Sequence, residues 1–242
     1  MRNIERLAER IKNSNDTVAL TGAGMSTESG LPDFRSSHGL WAGRDPLEIA
    51  SPHAIEGNYE DFVSFYGNRI KELKKHKPNS GHDCLANWEQ EGLLSAVLTQ
   101  NIDGYHLDAG GQNVIELHGH LRHLYCRECR HRHPVSKYLH DDPYCEYCGG
   151  KVRPDVVLFG EALDELKWEK AIQEVMKADL AIVVGTSLEV FPFAGLVELA
   201  LERGTDLAII NYTETGADAL ADIVIHDSIS ETLDEVNGNI KE

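Results

Sequence analysis

No run in this chain approaches the ~18 consecutive apolar residues of a membrane-spanning helix. The opening stretch, MRNIERLAERIKNSND, has no apolar centre of signal-peptide type and reads as a charged amphipathic helix. Internal repeats and low-complexity tracts are missing too. Basic residues are scarce, 23 Lys and Arg against 40 Asp and Glu, which leaves a formal net charge of −17. That balance repels phosphate backbones and anionic lipid, so neither direct nucleic-acid binding nor membrane association is expected. It suits basic partners such as lysine-rich protein segments, although solubility alone also accounts for it. These features together imply a cytoplasmic protein. In that compartment five cysteines argue for metal binding or a reactive thiol and against disulfides.

The 242 residues suffice for one large domain with a smaller companion. A helix over about Ile4–Asn13 leads into the strand TVALTG. The segment Tyr59–Lys74 spaces Phe62, Phe65, Tyr66, Arg69, Ile70 and Leu73 at helical intervals, and a further helix runs from Pro78 to Gly92. LLSAVLTQN and NVIELHG read as buried strands. After a segment poor in aliphatics and dense in Cys, His and Arg come DVVLFG, a helix over Asp164–Ala178, the strand DLAIVVGTS, a helix over Phe193–Arg203, and strands DLAIINY and DIVIH. Alternation of this kind predicts an α/β fold: a doubly wound, mostly parallel, Rossmann-like sheet with a second, smaller zinc-binding domain. Residues 1–36, 78–121 and 153–242 are assigned to the large domain. Residues 122–152, with the helical insertion 37–77, form the small one. Ligands of such sheets sit beyond the carboxyl ends of the strands, where the polar motifs GAGMS, TQNID, HG, GTS and NY all fall.

Cys126-x2-Cys129, fifteen intervening residues, and Cys145-x2-Cys148 match the spacing of a tetrahedral zinc site. Two residues between thiolates let one tight turn bring both sulfurs to a single ion. Four cysteines leave no open coordination position, so one structural Zn2+ is expected. The nearby His120, His123, His131, His133 and His140 are read as surface residues, and Cys84 as a small core residue.

Gly22 and Gly24, with small Ala23 and Ser26, allow backbone N–H groups to approach a pyrophosphate. Yet Thr27 stands where G-x-G-x-x-G needs its third glycine, and no acid ends a second strand about 20 residues on. A hydride-transferring dehydrogenase is therefore disfavoured. GAGMSTESGLPDFRS, TQNID, ELHG, the paired Cys-x2-Cys, RPDVVLFGE, GTSLEVFP and IINY resemble the motif series of the sirtuins, in that family's order, over about residues 17–212. Sirtuins are NAD-dependent protein lysine deacylases, and the resemblance implies the same here: NAD as co-substrate, acyl-lysine protein segments as substrate, nicotinamide and O-acetyl-ADP-ribose as products. The same chemistry offers ADP-ribosyl transfer as an alternative. A non-catalytic zinc-ribbon interaction module stands outside that class. Nothing in the sequence specifies an oligomeric state.

Carried over by resemblance, His118 is the general base, Asn101 positions ribose and a water, and Asp103 with Ile102 holds the nicotinamide carboxamide. Phe34 covers the reactive face and Arg35 contacts phosphate or orders the loop. Gly22, Ala23, Gly24 and Thr27 line the cofactor pocket. Gln100, Gly185, Thr186, Ser187 and Asn211 take the ribose and adenosine portions. Val156, Val157, Phe159 and Gly160, in VVLFGE, give an edge for a substrate peptide, or simply a buried strand. An unperturbed imidazole titrates near pH 6.5, suited to the base's task. Tyr105, Gly81 and Phe193 depart from the family's usual leucine, alanine and small residue, without removing a catalytic group.

Tyr66 and Arg69 lie three apart on one predicted helix face. They are similar to the pair with which desuccinylating sirtuins bind a carboxylate-bearing acyl chain, and Ala50 matches the small residue that widens their acyl pocket. Succinyl or malonyl removal is thus implied beside deacetylation. Equally, Tyr66 belongs to the apolar stripe with Phe62 and Ile70, and Arg69 is a solvated side chain.

Overall fold

The computed structural model describes residues 1–242 apart from Arg35, Ser37, His38, Ala42 and Arg44. Among the described residues the strands are β1 (Thr17–Thr21), β2 (Ala96–Thr99), β3 (Val114–Glu116), β4 (Gly119–Cys126), β5 (Arg132–His133), β6 (Val152–Val156), β7 (Leu180–Val184), β8 (Asp206–Ile210) and β9 (Ile223–Ile225). Six of them form one sheet in the order β3-β2-β1-β7-β8-β9, every pair parallel. The chain starts at the centre, winds outward one way, then returns to wind the other way. That reversal leaves a crevice at the carboxyl ends of β1 and β7.

Alternation along each strand divides the core between the two faces of the sheet. Leu180, Ile182 and Val184 of β7, with Ala19, Ala208 and Ile210, meet Leu7, Ile11, Leu85, Trp88 and Leu233 from the helices Asn3–Asn13, Ser80–Gln90 and Ile229–Lys241. Ala181 and Val183, with Val18, Leu20, Leu207 and Ile209, meet Ala171, Val175, Leu196 and Ala200 from the helices Glu165–Lys177 and Gly195–Glu202. Helices thus cover both faces, and the doubly wound α/β expectation holds. The helix expected over Phe193–Arg203 begins two residues later, at Gly195, because Pro192, Phe193 and Ala194 close i→i+3 bonds of a tighter turn.

A smaller antiparallel sheet, β5-β4-β6, stands apart. The aliphatic run DVVLFG does not continue the parallel sheet: Val156 ends β6 against β4, and no strand covers residues 157–163. Gly119 explains the reversal, since at φ +77° a Cβ there would lie 2.1 Å from the Asp155 carbonyl oxygen. The chain after β3 can therefore fold back along β6 only through glycine. A third core joins this sheet to the helix Tyr59–Leu73, with Phe62, Tyr66 and Ile70 packed on Leu124, Cys126, Tyr138 and Val152. No helix among the described residues is long and apolar enough to cross a membrane.

Candidate active site

A cavity of about 870 Å3 runs from the loop after β1, across the ends of β2 and β7, to the helix Tyr59–Leu73. Ala23, Gly24 and Thr27 line it from the short 3-10 turn Ala23–Ser29. Gly185, Thr186 and Ser187 enter from the end of β7, and Asn211 from the end of β8. Gly22 does not line it; its role is contact. A Cβ on Gly22 would come within 2.6 Å of Thr186, and one on Gly24 within 2.8 Å of the Gly185 Cα. The loops after β1 and β7 are thus packed backbone to backbone, which only glycine permits.

At the end of β2, Gln100, Asn101 and Ile102 face the cavity. Gln100 Nε2 donates to Thr186 Oγ1 at 2.7 Å, and Asn101 Nδ2 donates to the Gly22 carbonyl at 2.9 Å. Asn101 is therefore already held by the glycine loop. Asp103 lines a small side pocket with Ile102, Asn101, Phe34 and Arg69. It accepts from Ser26 Oγ at 2.8 Å and from the Tyr105 N–H at 2.9 Å. Burial pushes its carboxyl up despite those bonds. Behind it, His82 Nδ1 accepts from the Asn79 N–H at 3.2 Å and its Nε2 faces Ser26 Oγ at 3.4 Å. A capping box of the helix Ser80–Gln90 thereby braces the floor of the side pocket.

His118 lines the cavity between β3 and β4. Burial lowers its imidazole to about 4, with a hydrogen bond to the Gln100 backbone pulling the other way. The ordinary value near 6.5 is thus corrected downward: at neutral pH the ring is uncharged and ready to accept a proton. Phe193 is fully buried and packs against the His118 ring, centroids 6.4 Å apart, so this departure shapes the backing of that imidazole.

Past His118 the wall becomes aromatic. Phe34 meets Trp41 at 5.4 Å, Trp41 stacks on Phe65 at 5.5 Å, and Phe159 meets Trp41 edge-on at 5.9 Å. Trp41 and Phe65 line the cavity although nothing in a glycine-rich loop or a helical stripe marks them as site residues. Val156, Val157, Phe159 and Gly160 border the same space, and the Phe159 N–H donates to the Ala50 carbonyl at 2.9 Å. Below them Arg153, 4% exposed, forks onto Glu161 and donates to the Val156 carbonyl, while the Leu158 N–H donates to Glu161. Tyr66 and Arg69 close the far end. Arg69 is 7% exposed, not solvated, and its Nε and Nη1 have no hydrogen-bond partner among the described residues. Arg35 lies outside the described residues.

The four cysteines converge: Cys126 and Cys148 Sγ are 3.5 Å apart, Cys129 and Cys145 Sγ 3.6 Å. None is in a disulfide, and all four sulfurs lie within 4.8 Å of one another. Tetrahedral zinc–thiolate bonds of ~2.3 Å require sulfurs ~3.8 Å apart, so the cage fits one zinc ion. Cys84 is buried in its helix. Of the five histidines read as surface, His131 and His140 are exposed; His133 is buried, and His120 and His123 are half-buried against β6.

The Sir2 family model matches residues 22–192, which span the glycine loop, His118, the four cysteines and the turn after β7. The chain belongs to the Sir2 family. Among curated relatives, NAD-dependent protein deacetylase 1 of Geobacillus kaustophilus (strain HTA426) is 48% identical over 231 residues, 95% of each chain. A Sir2 variant solved with a deacetylated p53 peptide and 3'-O-acetyl ADP ribose superposes with TM-score 0.94 at 35% identity, covering 99% of this chain and 100% of that one. A Sir2 homologue–NAD complex gives TM-score 0.90 at 37% identity, covering 98% and 93%. In this Sir2 chain Tyr105 is buried, with its hydroxyl 3.4 Å from the Leu73 carbonyl, so that substitution ties the side pocket to the helix Tyr59–Leu73.

Proposed function

We propose that this chain is an NAD-dependent protein lysine deacetylase that also accepts acyl groups ending in a carboxylate. The observation carrying the first part is a neutral, half-buried imidazole, His118, in one continuous cavity with the glycine loops and the ends of β7 and β8. NAD fits this space. The loops at Gly24 and Gly185 present small backbone at a strand-end crevice, and polar Thr186, Ser187 and Asn211 stand where a nucleoside ends. When bound, NAD supplies a glycosidic bond whose cleavage releases nicotinamide and leaves a ribose carbon open to attack. Ala23, Gly24 and Thr27 would hold its phosphates, with Gly22 packing their loop against Thr186, and Gln100, Gly185, Thr186, Ser187 and Asn211 the riboses and adenine.

His118 accepts a proton from a ribose hydroxyl in this reading. Asn101 orients ribose and a water, Asp103 and Ile102 retain the carboxamide in the side pocket, and Phe34 excludes water from the reacting face. The substrate's backbone would pair with the edge offered by Val156, Val157, Phe159 and Gly160, a recognition mode in which main-chain bonds supply affinity. The division into a large unit (1–36, 78–121, 153–242) and a small one (122–152 with 37–77) belongs to the proposal. It is supported by the third core, which unites the helix Tyr59–Leu73 with the cysteine segment. One Zn2+ on Cys126, Cys129, Cys145 and Cys148 would hold the small unit together. Cytoplasmic residence is part of the same reading, supported by thiols that must stay reduced to bind metal.

The second activity rests on Arg69. A guanidinium whose Nε and Nη1 have no partner among the described residues, lining the cavity with the Tyr66 phenol, is suited to a carboxylate. The test is direct. Protein and NAD are incubated with two peptides differing only in acetyl-lysine or succinyl-lysine, and products are followed by mass spectrometry. Release of nicotinamide with loss of both acyl groups is expected. Acetyl removal alone would sink the second part, and no nicotinamide from either peptide would sink the whole.

A further inference from the structure

His120 and His123 of β4 face Asp155 of β6, away from the four cysteines and outside the cavity. On a regular strand, residues three apart point to opposite faces. Here the register breaks: His120 pairs with Asp155, but the next pair is Leu124 with Pro154, so residues 121–123 bulge out of the ladder. The bulge turns His123 back beside His120, ring centroids 4.4 Å apart. Two anchors fix it. The Leu121 N–H donates to the Ile102 carbonyl at 2.9 Å, and Arg122 forks onto buried Glu116, its Nη1 2.7 Å from Oε1.

This arrangement leaves donor atoms without partners. His120 Nδ1 and His123 Nε2 are buried and make no hydrogen bond among the described residues. Asp155 Oδ2 lies 3.9 Å from His120 Nε2 and 3.6 Å from His123 Nε2, beyond hydrogen-bond range. Three ligands at ~2.0–2.1 Å from one tetrahedral zinc ion stand ~3.3 Å apart, so Asp155 would have to close on His123 Nε2 by ~0.3 Å and on His120 Nε2 by ~0.6 Å, with the three ligand atoms already within 4.8 Å of one another. Asp155 offers a half-exposed carboxylate, which gives an ion both an anionic ligand and an entry path.

We propose that His120, His123 and Asp155 form a second metal site, for a divalent transition ion of the zinc type, separate from the four-cysteine cage. Two imidazoles and one carboxylate suit zinc, cobalt or nickel better than calcium or magnesium. Three protein ligands leave a position for solvent, unlike the closed cysteine site. The ion would tie β4 to β6 two residues beyond His118 and immediately before Val156, where the substrate edge starts. Its occupancy would stiffen that edge.

Native mass spectrometry of the full chain over a zinc titration tests this. The wild type should take up two zinc ions, the cysteine-bound one first, whereas His123→Ala and Asp155→Asn should retain the first and bind the second at least ~10-fold more weakly. Cobalt added to zinc-loaded protein should give visible bands lacking thiolate charge transfer, and amide exchange at Val156 should slow. Saturation of the wild type at one zinc would overturn the proposal. So would a second ion held equally well by both variants, which would assign it to other surface histidines. Asp155→Asn, an isosteric change at a half-exposed side chain, keeps the test open should His123→Ala fail to fold.

Discussion

Replacing Arg69 with methionine should make the protein more stable and less able in one activity. Its guanidinium is 7% exposed, with Nε and Nη1 unpartnered, and burial pulls its pKa down against the pull of Asp103. A buried donor left unsatisfied costs about 1–3 kcal/mol. Methionine keeps the stem's volume and removes that cost, while losing the stacking over Phe34 at 5.7 Å, worth about 0.5–1 kcal/mol. A net gain of roughly 0–2.5 kcal/mol follows, or a Tm rise of up to about 10 °C for a chain of this size. With succinyl-lysine peptide, by contrast, two charge-assisted hydrogen bonds disappear at about 1.5–3 kcal/mol each, so kcat/KM should fall ~10²-fold or more. Acetyl-lysine turnover should change far less. Scanning calorimetry and steady-state kinetics on the two peptides read both effects. A lower Tm would mean the guanidinium is a structural member whose partners have been misjudged. Equal losses on both peptides would mean it does not read the acyl terminus.

His118→Ala should reduce deacetylation at least ~10²-fold while NAD binding, measured calorimetrically, persists. Because His118 must be neutral and burial holds it at about 4, kcat/KM should stay flat from pH 8 to about 5 and drop only below that; a limb near 6.5 would contradict the burial argument. Glu161→Ala leaves buried Arg153 without its carboxylate and should cost roughly 3 kcal/mol, seen as a lower urea midpoint and a raised KM for peptide. An unchanged KM would separate that pair from the substrate edge. His82, fully buried and lowered to about 4, is neutral in the fold but protonates near 6.5 once unfolded. Its contribution is therefore present above pH 6.5 and is lost as pH falls towards 4, on the order of 3 kcal/mol. Denaturant midpoints of wild type and His82→Asn should converge over that range, and parallel curves would refute it.

The parallel sheet was legible because each strand is a short aliphatic run followed by polar residues, and the faces sort by simple alternation. The cysteine cage was legible from spacing, and His118 from its place after β3 beside a glycine. Other features depend on neighbours that sequence does not order. DVVLFG is as aliphatic as a parallel strand, yet only its first residues pair, and with β4, because Gly119 reverses the chain. Trp41 and Phe65 become one wall only when the insertion folds over the cavity. Arg69 read equally well as a solvated side chain until its helix packed against β4 and β6. Glu28, an unremarkable acid in the glycine loop, accepts from the Ile229 and Ser230 N–H groups and so caps the helix Ile229–Lys241 across 200 residues of sequence.

The shared third core also bears on how the protein is made. The helix Tyr59–Leu73 emerges from the ribosome well before Leu124, Tyr138 and Val152, on which Phe62, Tyr66 and Ile70 come to rest. At ordinary elongation speeds that interval is on the order of ten seconds. Until it ends the aromatic stripe has only Ala50, Ala54 and Ile55 of its native surroundings beside it, while β2 emerges within the interval and can pair with β1. Zinc supply at the cysteine segment then sets when the stripe is finally buried. In zinc-starved cells the nascent chain would therefore accumulate with this stripe uncovered, making metal scarcity a matter of yield and chaperone load before it becomes one of catalysis.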